Sequence, residues 1–150
     1  MTERLILRQN HHFETEFLST DPHDPESNEF RSTTHLHELT PYGMFLAGLA
    51  GCTSIILHTY ARNHEIELQK VELRLTYERV FQDDCDNCEE DEPYKDKIDE
   101  EILLLGNLDE RDREKLFLVS KQCPLHKIVE DGTEVNSYLV EEPVIREKTE

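Results

Sequence analysis

The sequence predicts an α+β fold on three observations. Apolar and polar residues alternate over several short segments, which is the period of a half-buried β-strand. Residues 41–63 form the longest apolar segment and have helix-like spacing, as does a second segment at residues 107–122. The order is strands, helix, strands, helix, strand, without internal repeats. Strands and helices grouped in this way are typical of an antiparallel sheet covered by helices.

Length and charge limit the possible partners. The 150 residues suit one domain, which we place at residues 1–143, followed by a charged tail at 144–150. The formal net charge of -18 would repel the phosphates of nucleic acids and of anionic membranes, so we expect neither as a partner. No charged-then-apolar signal pattern opens the chain, which favours a cytoplasmic protein.

The first part of the chain reads as three short strands. Residues 4–18 predict a strand, a turn at His11 and His12, and a second strand. Residues 19–28 contain two prolines and predict a surface loop. Phe30–Leu39 predicts a third strand, with His35 and His37 on one face. Two histidines at this spacing can bind a metal ion, but without a third ligand ordinary edge-strand polar residues are the more frequent case.

The central helix begins at Pro41, because proline suits the first helical turn and Thr40 can cap it. Gly48 and Gly51 each cost roughly 1 kcal/mol relative to alanine, which suggests that another backbone approaches them closely. We therefore expect a core helix that is buried nearly all round, with Cys52 near its centre. The segment is too short and glycine-rich to predict a membrane span.

A long strand and an acidic hairpin are expected after the helix. Residues 66–78 alternate once a register change near Gln69 is allowed, and residues 102–105 form a short apolar partner strand. Between them, an acidic extension at about residues 82–97 carries Cys85 and Cys88 in a C-x2-C pattern.

The second helix is expected to start with a capping box formed by Asn107 and Glu110. Cys123 precedes Pro124, so it can occupy the N-cap of a short third helix, where amide dipoles lower the pKa of a thiol. Residues 135–140 alternate and predict a last strand.

Cys52 and Cys123 suggest a redox pair if the two helices pack together. One thiolate can attack a peroxide and become a sulfenic acid, and the second thiol can condense with it to a disulfide. The alternative is that Cys52 is a small core residue, as free cysteines often are. From spacing alone, the second interpretation is favoured.

A family resemblance changes that balance. The segment LTPYGMFLAGLAGCTSIILHTYARNHEIELQKVELRLTYER resembles the central signature of the OsmC/Ohr family, and LDERDREKLFLVSKQCPLHKIVEDGTEV resembles its second helix and Cys-Pro-x-His element. The two matches together cover roughly residues 36–140 in the expected order. The resemblance implies an OsmC-like fold, with antiparallel sheets packed around two central helices in an intertwined homodimer.

The resemblance also implies a function. It suggests reduction of organic hydroperoxides at the dimer interface, with Cys52 as the peroxidatic thiol, Cys123 as the resolving thiol, a thiol reductant and no required cofactor. The substrate pocket would be edged by Tyr42, Met44, Phe45 and Leu49.

The sequence departs from the family pattern in three places. Tyr42 and Gly43 stand where family peroxidases have a glutamate, and the family's N-terminal arginine is replaced by displaced candidates, Arg8 and Arg31. The third departure is the pair Cys85 and Cys88, for which a zinc half-site shared across a dimer axis, a redox dithiol and thiols without a role all stay open. An alternative function is therefore a non-peroxidase OsmC-like dimer that binds a metal or a small molecule, with the Cys85 and Cys88 loop as a zinc or redox site.

Overall fold

A computed structural model of the chain describes residues 2–21, 23–24, 26–81 and 94–144. Five antiparallel strands form one sheet in the order β3-β2-β1-β4-β5. The strands are β1 Thr2–Asn10, β2 Thr15–Thr20, β3 Phe30–Thr33, β4 Glu67–Phe81 and β5 Tyr94–Asn107, and the helices are α1 Pro41–Asn63, α2 Glu110–Ser120 and α3 Pro124–Asp131. The α+β prediction is confirmed.

The core lies between one face of the sheet and α1. In β1, Leu5 and Leu7 are fully buried, and they pair across the ladder with Leu75 and Leu73 of β4. Because residues directly opposite in a ladder share a face, these four side chains form one apolar surface under the helices. The predicted register change in β4 is confirmed as an irregularity between Leu68 and Lys70.

Helix α1 has the predicted bounds. The Thr40 side chain accepts a hydrogen bond from the Gly43 N–H (3.1 Å), and Pro41 occupies the first turn. The expectation of burial all round is wrong for a single chain, because Met44, Phe45 and Ile55 are 40%, 50% and 50% exposed. They lie on one side of the helix, and the opposite side packs on the sheet.

By length and composition α1 is apolar enough to cross a membrane, but half of its most apolar window is buried inside the structure. This favours the predicted core helix.

Three local predictions are corrected. β3 ends at Thr33, so neither His35 nor His37 is in a strand. His35 precedes a 3₁₀ turn, Leu36–Glu38, and His37 lies within it. Asn107 ends β5; the cap of α2 is Asp109, whose side chain accepts from the Asp112 N–H at 2.7 Å in a reciprocal capping box.

The third correction concerns residues 135–140, which form no strand: this part of the chain is irregular, and Val135, Tyr138, Leu139 and Val140 are 74–100% exposed. A strand needs a partner edge, and in the described part of the chain this segment is paired with neither edge strand, β3 nor β5.

Candidate thiol site

The structure brings Cys52 and Cys123 together. Cys52 lies in the middle of α1 and Cys123 in the short connection between α2 and α3. The two sulfurs are 2.7 Å apart, within hydrogen-bond distance, and both thiols are free. Cys123 is completely buried and Cys52 is partly exposed, so only Cys52 is accessible to a reagent from solvent. This geometry allows a disulfide to form with a small side-chain movement.

Cys52 also faces the first turn of α3. Pro124 occupies the first helical position, and the backbone N–H of Leu125 is directed at the Cys52 sulfur. The side chain of Leu125 packs on α1, where a methyl group added at Gly48 would lie 3.9 Å from Leu125 Cδ1. The N-terminal end of a helix favours negative charge, so this contact stabilises a thiolate on Cys52.

The sequence predicts that the start of α3 acts on the Cys123 sulfur, because Cys123 directly precedes Pro124. The structure confirms Cys123 as the N-cap residue, but its side chain makes no capping hydrogen bond. Leu125 and Cys52 are 73 positions apart in the sequence, so no local pattern predicts their contact.

Burial opposes ionisation of Cys52. It raises the pKa of the Cys52 thiol above its ordinary value, and the neighbouring Cys123 side chain acts in the same direction. The Leu125 N–H lowers that pKa, but its effect is smaller than those of burial and Cys123. Within one chain, therefore, the site holds Cys52 mainly as a thiol.

Neither candidate arginine forms a hydrogen bond with the thiols among the described residues. Arg8 follows Leu7 in β1 and points to the opposite face of the sheet, where its Nε is 2.8 Å from Glu72 Oε1. Arg31 lies on the edge strand β3, 69% exposed, and pairs with Asp21 at 3.5 Å. Their role as the cation near Cys52 stays a prediction.

The predicted pocket residues separate into two groups. Met44 and Phe45 are exposed on the same side of α1 as partly exposed Cys52, about two turns nearer the start of the helix. Leu49 is 4% exposed and belongs to the core. Tyr42 stacks on Tyr77 of β4, with ring centroids 4.7 Å apart, and so fills the start of α1 where the family glutamate is absent.

One acidic residue near α3 was not anticipated from the sequence. Glu100 pairs with Leu75 in the β4–β5 ladder and so lies on the helix-facing side of the sheet. Its Oε2 is buried without a hydrogen-bond partner among the described residues. Burial raises the pKa of Glu100, and attraction to His126 of α3 opposes the shift. In the sequence Glu100 stands among other acidic residues, so no local pattern marks it as buried.

The structure gives no support for a metal site among the residues that it describes. No group of three or more His, Cys, Asp or Glu side chains there could hold an ion. His35 and His37 have ring centroids 5.4 Å apart but no third ligand. Cys85 and Cys88 lie outside the described residues, so a zinc ion held by them stays a prediction.

Two solved structures resemble the chain. An OsmC-like hydroperoxide resistance protein from Jannaschia sp. CCS1 aligns over 93% of this chain and 94% of its own, with a TM-score of 0.58 and 14% identity. The organic hydroperoxide resistance protein OsmC from Legionella pneumophila, also described as a predicted redox protein, aligns over 83% and 88%, with a TM-score of 0.48 and 15% identity. No curated protein gives a significant match.

The similarity to the Jannaschia protein supports the fold alone, because 14% identity is too low to transfer an activity. The family assignment comes from the sequence. The family model described as OsmC-like protein matches residues 34–137, a region that contains α1, β4, β5, α2, α3 and both thiols of the pair. The chain therefore belongs to the OsmC-like protein family.

Proposed function

We propose that this protein is a thiol-dependent peroxidase that reduces organic hydroperoxides through Cys52 and Cys123. The observation that carries the proposal is the contact of the two sulfurs at 2.7 Å, with one thiol buried and the other accessible. Membership of the OsmC-like family supports it, and the similar Jannaschia protein is described as a hydroperoxide resistance protein.

The reaction has two steps in the protein. The Cys52 thiolate attacks the distal oxygen of R–O–O–H, the O–O bond breaks, and the alkoxide takes a proton to leave as an alcohol. Cys52 is then a sulfenic acid, and the Cys123 sulfur displaces its hydroxyl as water to form the Cys52–Cys123 disulfide. An external thiol reductant supplies two electrons and two protons to restore both thiols. We place the protein in the cytoplasm, where such reductants are abundant.

The open face of Cys52 favours an organic substituent on the substrate. On the same side of α1, Met44 and Phe45 expose apolar surface, which the alkyl or aryl part of a hydroperoxide can cover. We therefore expect cumene hydroperoxide to react faster than hydrogen peroxide, and the Phe45→Ser variant to lose this preference.

The decisive experiment counts free thiols before and after one equivalent of cumene hydroperoxide, followed by peptide mapping. The test is made in a Cys85→Ser, Cys88→Ser background, so that only the proposed pair can react. We expect the loss of two thiols per chain and a peptide linked through Cys52 and Cys123. Two unchanged thiols would refute the proposal.

Single cysteine variants separate the two roles. Cys52→Ser should abolish hydroperoxide consumption, whereas Cys123→Ser should allow one turnover and leave a sulfenic acid on Cys52 that a dimedone probe can trap. If Cys52→Ser still consumes hydroperoxide, the peroxidatic assignment is wrong.

We further propose that the active form is a homodimer. A single chain exposes apolar side chains from all three helices and from the segment after α3, and a second copy can bury them together. They include Phe45, Ile55, Phe117, Leu118, Ile128, Tyr138 and Leu139. Light scattering after size exclusion should give twice the mass of one chain, and Phe45→Glu with Leu118→Glu should give a monomer. A wild-type monomer would contradict the proposal.

The alternative function uses the acidic extension. Cys85 and Cys88 of two chains would supply four thiolates to one zinc ion across a dimer axis. Metal analysis of protein purified without chelator should then give one zinc per two chains, lost in Cys85→Ser. Substantially less zinc would count against this alternative and leave the peroxidase proposal unaffected.

A further inference from the structure

A separate cavity lies at the far end of α1 from Pro41, between the β1–β2 turn and the start of β4. Its volume is about 420 Å³, and its lining shares no residue with the thiol site. The polar lining consists of His11, His58, Arg62, Glu67 and Gln69, and the apolar walls come from Ala61, Ile66 and Leu68. The cavity therefore combines nitrogen groups, one of them a guanidinium, with one carboxylate and apolar surface.

Arg62 is held in place at this cavity without a carboxylate partner. Its Nη2 donates to the His11 carbonyl at 3.2 Å, and its guanidinium carbon lies 5.0 Å from the centre of the Phe13 ring. Within the described ranges it forms no salt bridge, although the whole chain carries 34 acidic residues. A fixed guanidinium with uncommitted N–H groups is suited to a planar anion.

His58 is fixed beside it by a buried polar network. Its Nε2 lies 3.0 Å from the Gln9 carbonyl, and because a carbonyl only accepts, Nε2 carries the hydrogen. Gln9 is held in turn by Ser54 and Thr15, each at 2.8 Å. His58 is 3% exposed, so its ring has one orientation supported by β1, β2 and α1.

Two kinds of negatively polarised group lie near Arg62, the carbonyls at the end of α1 and the Glu67 carboxylate, and both are hydrogen-bonded to other residues. The carbonyls at the end of α1 carry partial negative charge, but those of Tyr60 and Ala61 accept N–H bonds from His64 (3.1 Å) and Ile66 (2.8 Å). The carboxylate of Glu67 accepts a hydrogen bond from Asn107 at 3.0 Å. The two carbonyls and Glu67 thus have hydrogen-bond partners other than Arg62, which makes no ion pair with Glu67 among the described residues, although the charge of Glu67 reduces the net positive charge of the cavity.

We propose that this cavity binds a small organic carboxylate, with Arg62 as the charged contact and Ala61 and Ile66 against the apolar part of the ligand. The inference does not depend on the peroxidase proposal, because no thiol takes part.

Binding should be visible at His58. Burial lowers the pKa of His58; the bond to Gln9 raises it, and the charges of His11 and Arg62 lower it further. A bound carboxylate would offset those two charges, so the pKa of His58 should rise when the ligand binds.

Benzoate is a suitable probe, and benzamide is its uncharged control of the same shape. Ring signals of histidine labelled with carbon-13 are followed at low ionic strength, with His58→Gln and His11→Gln used for assignment. We expect saturable shifts of both signals with benzoate and a higher titration midpoint for His58. Benzamide should give neither effect. No saturable shift with benzoate, or the same shift with benzamide, would overturn the proposal.

The charge is tested by substitution. Arg62→Gln should weaken benzoate binding by about tenfold or more, and Arg62→Lys should weaken it less. Arg111→Gln is the matched control, because it removes one positive charge from an exposed position of α2. Equal affinity in Arg62→Gln and the wild type would overturn the proposal; if Arg62→Gln does not fold, the benzoate and benzamide comparison in the wild type decides. Cys52→Ser should bind benzoate normally.

Discussion

Cys52 is subject to two opposing influences that decide its reactivity. Burial and the Cys123 thiol raise its pKa, and the Leu125 N–H at the start of α3 lowers it to a smaller extent. Only the thiolate attacks peroxide, so the ionised fraction limits the rate. Cys123 therefore slows the first step, because it raises the pKa of Cys52, and makes the second step possible, because it resolves the sulfenic acid.

The first prediction follows from this raised pKa. The thiolate fraction of Cys52 is small at neutral pH and grows as the pH rises, so the single-turnover rate with cumene hydroperoxide should increase from about pH 6 to about pH 9, by up to about tenfold per unit. Stopped-flow measurement of hydroperoxide loss checks it.

The Cys123→Ala variant provides the internal control for the pH profile. It removes the hydrogen bond that raises the pKa of Cys52, so its first-step profile should shift to lower pH. A rate independent of pH in the wild-type protein would show that Cys52 is already ionised, and would point to a cation supplied by a second chain.

Only part of the candidate site can be read from the sequence. The two thiols are identifiable because Cys52 lies within a recognisable helix pattern and Cys123 directly precedes another. The family resemblance pairs them. The contact between Cys52 and Leu125 and the buried position of Glu100 depend on how α3 lies on α1 and β5. Such contacts are set by tertiary packing, which no periodicity along the chain records.

At the scale of elements, the strongest local signals gave the best predictions. Thr40 followed by Pro41 fixed the start of α1, and alternation with one irregularity described β4. β5 begins at Tyr94, earlier than expected. The sequence does not reveal this start, because the next residues, 95–97, are charged and exposed like the acidic run before them. Residues 135–140 alternate like a strand, but pattern alone cannot supply the partner edge that a strand requires.

The second prediction concerns the corrected cap of α2. Asp109→Ala should lower the free energy of unfolding by about 1 kcal/mol, because it removes the acceptor for the Asp112 N–H. Urea denaturation measures the loss. Asn107→Ala is the matched control: Asn107 makes one exposed bond to Glu67, so the change should stay within about 0.5 kcal/mol. A larger loss at Asn107 than at Asp109 would restore the original capping assignment.

For the whole molecule, the formal net charge of -18 dominates its response to ionic conditions. Like charges repel more strongly in the compact state than in the extended chain, which lowers stability at low ionic strength. Exposed ion pairs such as Arg74 with Glu101 contribute little in the opposite direction.

The third prediction is therefore that sodium chloride stabilises the protein. The urea midpoint should rise between about 0.01 M and about 0.15 M salt, as the Debye length falls from about 30 Å to about 8 Å, and then change little. Urea is used because guanidinium chloride is itself a salt. A midpoint that is constant or falls would show that the acidic residues are spaced widely enough to avoid repulsion.

The position of the two thiols has one further consequence, for the lifetime of the protein. Cys52 and Cys123 are separated by 71 positions, so a disulfide between them closes the second half of α1, β4, β5 and α2 into one loop. Loop closure on this scale lowers the entropy of the unfolded chain and is worth about 4 kcal/mol in the chain-entropy description. The oxidised protein should resist proteolysis longer than the reduced protein, and Cys123→Ser should abolish the difference. Oxidation would then protect the chain from degradation until a reductant reopens the loop.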